Sequence, residues 1–136
     1  MGVLFKNADI TIYNRYYDNE NAYDMYKRTN IDGVNWQSKR NATVSDKGVN
    51  VANTTLIFID KLDNYVSPRQ FQLLSDEERK NNFTFAIGDK IVKGSIDFEI
   101  TNLKPHSLAD LQNNFDNVVT IVAIRELSNH WEVECK

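Results

Sequence analysis

Apolar and polar residues alternate along most of this chain, which is the pattern of half-buried β-strands. Ile10 and Ile12 alternate with their neighbours in the sequence DITIY. The same period of two returns in residues 83–87 and 96–100. Residues 54–60 (TTLIFID) are rich in β-branched and aromatic side chains. This run predicts a central strand.

Further strands are predicted on both sides of that run. Residues 23–29 and 31–37 precede it, and Gly33 inside the second segment predicts a bulge or a tight bend. Residues 117–127 and 130–135 form the last two strands. The sequence therefore predicts a mainly β fold, a small closed barrel or sandwich of about seven or eight strands. Closure removes the unpaired edges that so small a sheet would otherwise expose.

One or two short helices interrupt the strands. Ser67 followed by Pro68 is typical of a helix start, with serine as the N-cap and proline at the first helical position. Ser107 is predicted to cap a second helix that ends near Phe115, with Leu111 on its apolar face.

Residues 37–54 contain few large apolar side chains and predict a long loop, a feature that is usually functional or disordered. A hairpin is the alternative, because Val44 and Val49 flank a plausible turn at residues 46–48. Residues 1–8 are predicted to form a flexible N-terminal arm. Residues 1–136 otherwise fit a single domain.

Composition excludes several classes of function. The chain has 16 basic and 19 acidic residues, a net charge of -3, which argues against a protein that grips nucleic acid or carries a polybasic membrane anchor. No apolar run approaches the roughly 18 residues of a membrane span, and no secretory signal precedes Asp9. The lone Cys135 fits a reducing cytoplasm.

Candidate chemistry is sparse. His106, His130 and Cys135 do not have the spacing of a zinc site, and neither a nucleophile elbow nor a glycine-rich phosphate loop occurs. Four acidic residues alternate with apolar ones and are expected to face water: Asp97, Glu99, Glu132 and Glu134. The sequence predicts no catalytic residue, no cofactor and no metal.

Tyrosines crowd the first predicted hairpin. Acidic residues lie among the few basic ones there, so core packing together with protein–protein contact is favoured over a stacking platform for single-stranded nucleic acid. The predicted interface with another subunit or a neighbouring protein comprises Tyr13, Tyr16, Tyr17, Tyr23, His130 and Trp131.

Several motifs, in this order and spacing, resemble a family of small proteins from tailed phages and prophages of Gram-positive hosts. The motifs are Gly33-Val34-Asn35-Trp36, Tyr65 with Pro68, GDKIVKG at 88–94 and HWEV at 130–133. Members are encoded between the capsid and tail genes and are called minor capsid or head-tail connector proteins. The likeness covers essentially the whole chain.

The resemblance implies a structural role in the phage neck. The pattern is similar to head-closure (stopper) proteins, β-barrels that form a ring of 12 or 6 copies below the portal or adaptor and above the tail terminator or tail tube. A long loop in such proteins helps to retain packaged double-stranded DNA without sequence specificity. By this analogy the channel or gating residues are Lys39, Arg40, Asp46, Lys47 and Gly48. The expected location is the head-tail junction of the virion, after synthesis in the host cytoplasm.

Two alternatives remain open. A tail-terminator or tail-completion ring is also rich in β-structure, and the sequence hardly separates it from a stopper. A protein from another class, a stand-alone barrel that binds nucleic acid or a small ligand, would stay monomeric.

Overall fold

The computed structural model shows a closed antiparallel barrel of six strands in the order β1-β2-β3-β6-β5-β4. It describes residues 5–18, 22–45, 48–101, 104 and 106–136, with the backbone alone for residues 18, 39–45 and 48–53. The strands are β1 Ala8–Asp18, β2 Tyr23–Ser45, β3 Gly48–Asp60, β4 Lys90–Lys93, β5 Val118–Glu126 and β6 His130–Cys135. The helices are α1 Pro68–Leu73, α2 Asp76–Arg79 and α3 Leu108–Asn114.

Alternation along the strands places one face of each in the barrel core. Ile57 and Ile59 of β3 point inward and are almost fully buried, as are Val133 and Cys135 of β6. TTLIFID is flanked by β2 and β6 and is a central strand, as predicted. The mainly β closed barrel predicted from the sequence is confirmed.

The barrel has fewer strands than predicted. One reason is that two segments predicted as separate strands form a single strand. Residues 23–29 and 31–37 both belong to β2, which continues through Gly33 with a φ of 76°. The register against β1 shifts at this point, and the backbone N–H of Gly33 donates to the Asp9 carboxylate at 2.9 Å. Gly33 therefore makes the predicted bulge without ending the strand.

Residues 83–87 and 96–100 have alternating sequences but, in the described residues, they join no strand ladder of the barrel. Side chains of β1 satisfy part of their backbones instead. The Thr11 hydroxyl accepts from the N–H of Ile96 at 3.0 Å, and the Tyr13 hydroxyl donates to the carbonyl of Phe98 at 2.6 Å. An extended segment bonded in this way keeps the period of two without becoming a strand.

Serines cap all three helices. Ser67 accepts from the N–H of Gln70, with Pro68 at the first helical position, as predicted. Ser75 and Ser107 each form a capping box, and Leu111 is the buried residue of α3. No helix among the described residues has the length and apolar character that crossing a bilayer requires.

Residues 5–7 lie against the barrel, which differs from the predicted free arm over residues 1–8. The backbone N–H of Asn7 donates to the carbonyl of Val34 at 3.0 Å, and its side chain accepts from the N–H of Trp36 at 2.8 Å. Lys6 forms an ion pair with Asp60 at 3.0 Å. Residues 1–4 of the predicted arm lie outside the described residues.

Two residues of the predicted interface are core residues, so that prediction is wrong for them. Trp131 is 2% exposed, and its ring lies 4.6 Å from the Tyr65 ring and 5.3 Å from the Phe85 ring, centroid to centroid. Tyr13 is fully buried, with its hydroxyl bonded to the carbonyl of Phe98. Both face inward because the strands alternate, and neither offers surface to a neighbour.

Candidate assembly surfaces

Two strands of the barrel continue beyond it as a hairpin, which we call the β2–β3 arm (residues 39–45 and 48–54). The arm holds seven pairs in sequence, from Lys39 opposite Thr54 to Ser45 opposite Gly48. Immediately below it, Thr55 also pairs with Cys135 of β6. At about 3.4 Å per residue the arm is on the order of 24 Å long. Of the two structures considered for residues 37–54, the protein adopts the hairpin.

Three of the five predicted channel residues fall within this arm. The backbones of Lys39 and Arg40 pair with Thr54 and Asn53, and Gly48 begins β3. Asp46 and Lys47 lie outside the described residues.

The opposite hairpin end, between β1 and β2, is braced by α1 and α2. The Tyr16 ring packs edge-on against Phe71 at 6.5 Å between centroids, and the Arg79 guanidinium lies 4.1 Å above the Tyr16 ring. Gln72 donates from its side-chain amide to the carbonyl of Arg15 at 2.7 Å.

Among the residues that the structure describes, no third strand pairs with the β2–β3 arm. Within the described residues, its strand pairings join only its own two halves. A two-stranded hairpin without a third strand or a packing surface is marginally stable in water. The arm is therefore the element of this fold best suited to be completed by a neighbouring molecule.

A shallow depression, the β5–β6 hollow, lies on the outer face of the barrel beside the arm. It has a volume of about 180 Å³ and is lined by Leu56, Ala123, Ile124, Arg125, Glu132 and Glu134. Leu56 and Glu134 are cross-strand partners whose chain neighbours Ile57, Val133 and Cys135 point into the core. An apolar floor thus has one guanidinium and two carboxylates around it, and sequence patterning had indicated only that these glutamates face water.

A second depression lies beside the braced hairpin end and is larger, about 370 Å³. Its cations are engaged within the chain: Lys27 donates to the Thr29 hydroxyl at 2.6 Å, and Arg28 pairs with Glu99 at 2.6 Å. Burial lowers the pKa of the Lys27 ammonium. These internal contacts leave little charge for an external ligand.

The remaining predicted interface residues are at the surface to different degrees. Tyr17 is 52% exposed, whereas Tyr16, Tyr23 and His130 are half-buried. His130 packs its ring 6.0 Å from that of Phe58, centroid to centroid. Tyr16, Tyr17 and Tyr23 lie on β1 and β2, whereas His130 lies on β6, which pairs with neither of these strands.

A buried polar network that sequence analysis missed joins β1 to the turn before β4. The Asn14 side-chain amide donates to the carbonyl of Thr84 at 2.6 Å and to the Asp89 carboxylate at 2.8 Å. Its oxygen accepts from the N–H of Thr84 at 3.2 Å, and Asp89 also accepts from the N–H of Arg15 at 3.2 Å. The sequence indicated only a turn at Gly88-Asp89. An aspartate in a turn is ordinarily exposed, so the buried network was not predicted.

Burial raises the pKa of the Asp89 carboxyl from 3.8 to about 6, although the bonds from Asn14 and Arg15 oppose the shift. The protonated form is favoured in the folded state, so its stabilising contribution is complete below pH 3.8 and is lost as the pH rises through about 6. We expect the unfolding free energy of Asp89→Asn, measured relative to that of the wild type, to rise by roughly 2–3 kcal/mol as the pH increases from about 4 to about 7. Urea denaturation across this range measures the difference; a difference independent of pH contradicts the raised pKa.

Cys135 is fully buried, and burial raises the pKa of its thiol to about 12. Since the thiolate is the reactive form, the folded protein should react with a disulfide reagent at least roughly 100-fold more slowly than the urea-unfolded chain. Absorbance of the released thiol gives both rates. Equal rates would show that this end of β6 opens freely.

Metal-ligand geometry is absent from the part of the chain that the structure describes. No group of three His, Cys, Asp or Glu side chains there is placed to hold a metal ion. Cys135 lies inside the barrel, and His106 is exposed with its ring against Phe98 at 5.3 Å between centroids.

Fold and surface together define a closed six-stranded β-barrel with a two-stranded arm that extends beyond it. The chain belongs to a family of unknown function, DUF6751, whose family model matches residues 5–136. No curated protein and no solved structure matches the chain.

Proposed function

We propose that this protein is a structural component of the phage neck, a head-closure ring that joins the portal or adaptor of the filled head to the tail and helps to retain DNA. The β2–β3 arm is the observation that carries the proposal. The likeness to connector proteins supplies the phage context, and a small closed barrel with one long projecting arm is the architecture that such a role requires.

A ring needs heterologous contacts, in which one surface of a subunit meets a different surface of the next. The arm and the barrel wall are suited to be two such surfaces. In the described residues the strand pairs of the arm join its own two halves, and the wall has a hollow next to the base of the arm. Exposed Tyr17 and half-buried Tyr23 offer further contact area.

Charge is consistent with a channel that DNA passes through. The chain has a net charge of -3, which disfavours tight retention of DNA on the protein surface. Residues 39–54 differ from the acidic chain as a whole, because they contain three basic residues and one acidic residue. The basic residues are Lys39, Arg40 and Lys47. A weakly cationic arm on an acidic body suits a gate that touches DNA without binding a sequence.

A tail-terminator or tail-completion ring is the second candidate, and the same arm favours it over a stand-alone barrel. A barrel that only binds nucleic acid would be complete as a monomer, whereas this arm lacks a third strand within the described residues. The monomeric binder would also show salt-dependent affinity for oligonucleotides.

Quantitative mass spectrometry of separated particle classes tests the proposal. A head-closure protein should be present at one fixed copy number in complete virions and in DNA-filled tailless heads. A protein found in complete virions and free tails but missing from filled heads is a tail protein. A protein missing from all particle classes refutes both assignments.

A further inference from the structure

The β5–β6 hollow has the chemistry of a receptor for a lysine or arginine side chain. Leu56 and Ile124 supply apolar surface, and Glu132 and Glu134 stand beside it on β6. Long cationic side chains bury their methylene stems against apolar surface and keep the charged head at a polar edge. Among the described residues, the ion pair of Glu132 is with Arg125 at 4.0 Å, and the Arg125 side chain is 74% exposed.

The β2–β3 arm carries matching charge. Its residues include two bases, Lys39 and Arg40, and no acid, which leaves 14 basic and 19 acidic residues for the rest of the chain. The arm is thus net positive and the body net negative. Opposite charges on two different surfaces of one protein favour contact between copies in a head-to-tail sense.

We propose that the β2–β3 arm of one copy lies across the β5–β6 hollow of the next, with a basic residue of the arm between Glu132 and Glu134. The occupant of the hollow is therefore a second copy of this chain. The contact would give the arm a packing surface on the neighbouring copy, and repetition of a heterologous contact closes a ring when the rotation between copies divides a full turn. This inference rests on the proposed function, since it names the surfaces that would hold the neck ring together.

Carbodiimide cross-linking tests the contact directly, because it joins an amine to a carboxylate only when the two are in contact. The purified full-length protein is prepared with natural-abundance and ¹⁵N nitrogen, and the two samples are mixed, concentrated and cross-linked. We expect peptides that join Lys39 or Lys47 to Glu132 or Glu134 and that contain one light and one heavy partner. Mixed isotopes show that the link joins two copies.

Sedimentation velocity is the readout for the variant E132Q/E134Q, because glutamine does not react with the carbodiimide whether or not the copies associate. Its self-association should be at least about tenfold weaker than that of the wild type. The matched control is D63N/E77Q, which removes the same charge from two exposed acids outside the hollow and should leave self-association unchanged. Charge reversal gives a rescue test: K39E/R40E and E132K/E134K should each weaken association, and their combination should restore it.

Three results would overturn the inference: links with one isotope only, no link between the arm and β6, or self-association that E132Q/E134Q leaves unchanged. The particle analysis described above separates this failure from failure of the proposed function. A chain found in the neck without this cross-link is a neck protein assembled through other surfaces.

Discussion

Virions with a shortened β2–β3 arm are expected to fill with DNA and then lose it. The variant replaces residues 41–52 by Asn-Gly, which joins Arg40 to Asn53 through a two-residue turn suited to a hairpin. The barrel keeps its ladder from Thr55 to Asp60 with β6. If the arm gates the channel and contacts the neighbouring subunit, as proposed, its loss should abolish nearly all infectivity, measured as plaque titre and as DNA accessible to nuclease.

The shortened protein itself should remain folded. The removed residues pair only with one another among the described residues, so the unfolding free energy should change by less than about 1 kcal/mol. Asp46→Asn with Lys47→Gln is the matched control for charge, because it removes the same two charges as the deletion and keeps the full length of the arm. Particles that retain DNA normally with the shortened arm would refute the gating role, whatever the effect on tails.

The largest expected effect on stability comes from Asn14→Ala. The Asn14 side chain donates to Thr84 and Asp89 and accepts from Thr84, and all three residues are almost fully buried. Alanine would leave a buried carboxylate and a buried peptide group with missing partners. We expect the unfolding free energy to fall by roughly 3–5 kcal/mol in urea denaturation at neutral pH.

Asn30→Ala is a matched control for this substitution. Asn30 is an exposed asparagine that donates to the Ser95 hydroxyl at 3.0 Å, so its loss should cost less than about 0.5 kcal/mol. A cost below about 1 kcal/mol for Asn14→Ala would show that water or a local shift replaces the lost bonds.

Local sequence signals were sufficient to predict the elements that form through interactions between residues close together in the chain. The serine caps at 67 and 107 and the strand at 54–60 were predicted because capping and strand alternation are short-range effects. The hairpin over 39–54 remained an alternative to a loop because its small polar residues carry little alternation, although its valines and its turn residues indicated it.

Long-range contacts explain the errors. Residues 96–100 alternate like a strand, but the Thr11 hydroxyl, 85 positions before Ile96, is what accepts from its backbone. Tyr13 and Trp131 were predicted to lie at an interface. Tyrosine and tryptophan are common both in cores and at interfaces, and the closed barrel shows that these two residues belong to the core. The Asn14–Asp89 bond joins residues 75 positions apart, and no local pattern predicts it.

The β5–β6 hollow was outside the reach of sequence reasoning for a similar reason. Leu56 and Ile124 lie on separate strands, and alternation alone indicates a solvent-facing position for Glu132 and Glu134. Only the order β3-β6-β5 places the apolar pair beside the carboxylates. Strand order is set by barrel closure, which depends on the whole chain.

The proposed function depends on one structural claim: the β2–β3 arm, which pairs only within itself in the described residues, packs against a neighbouring subunit. An averaged electron cryomicroscopy reconstruction of the head-tail junction in purified virions tests this most directly. The expected density is a ring of six-stranded barrels below the portal assembly, with each β2–β3 arm seated on the adjacent subunit. A junction fully accounted for by other proteins would contradict the assignment.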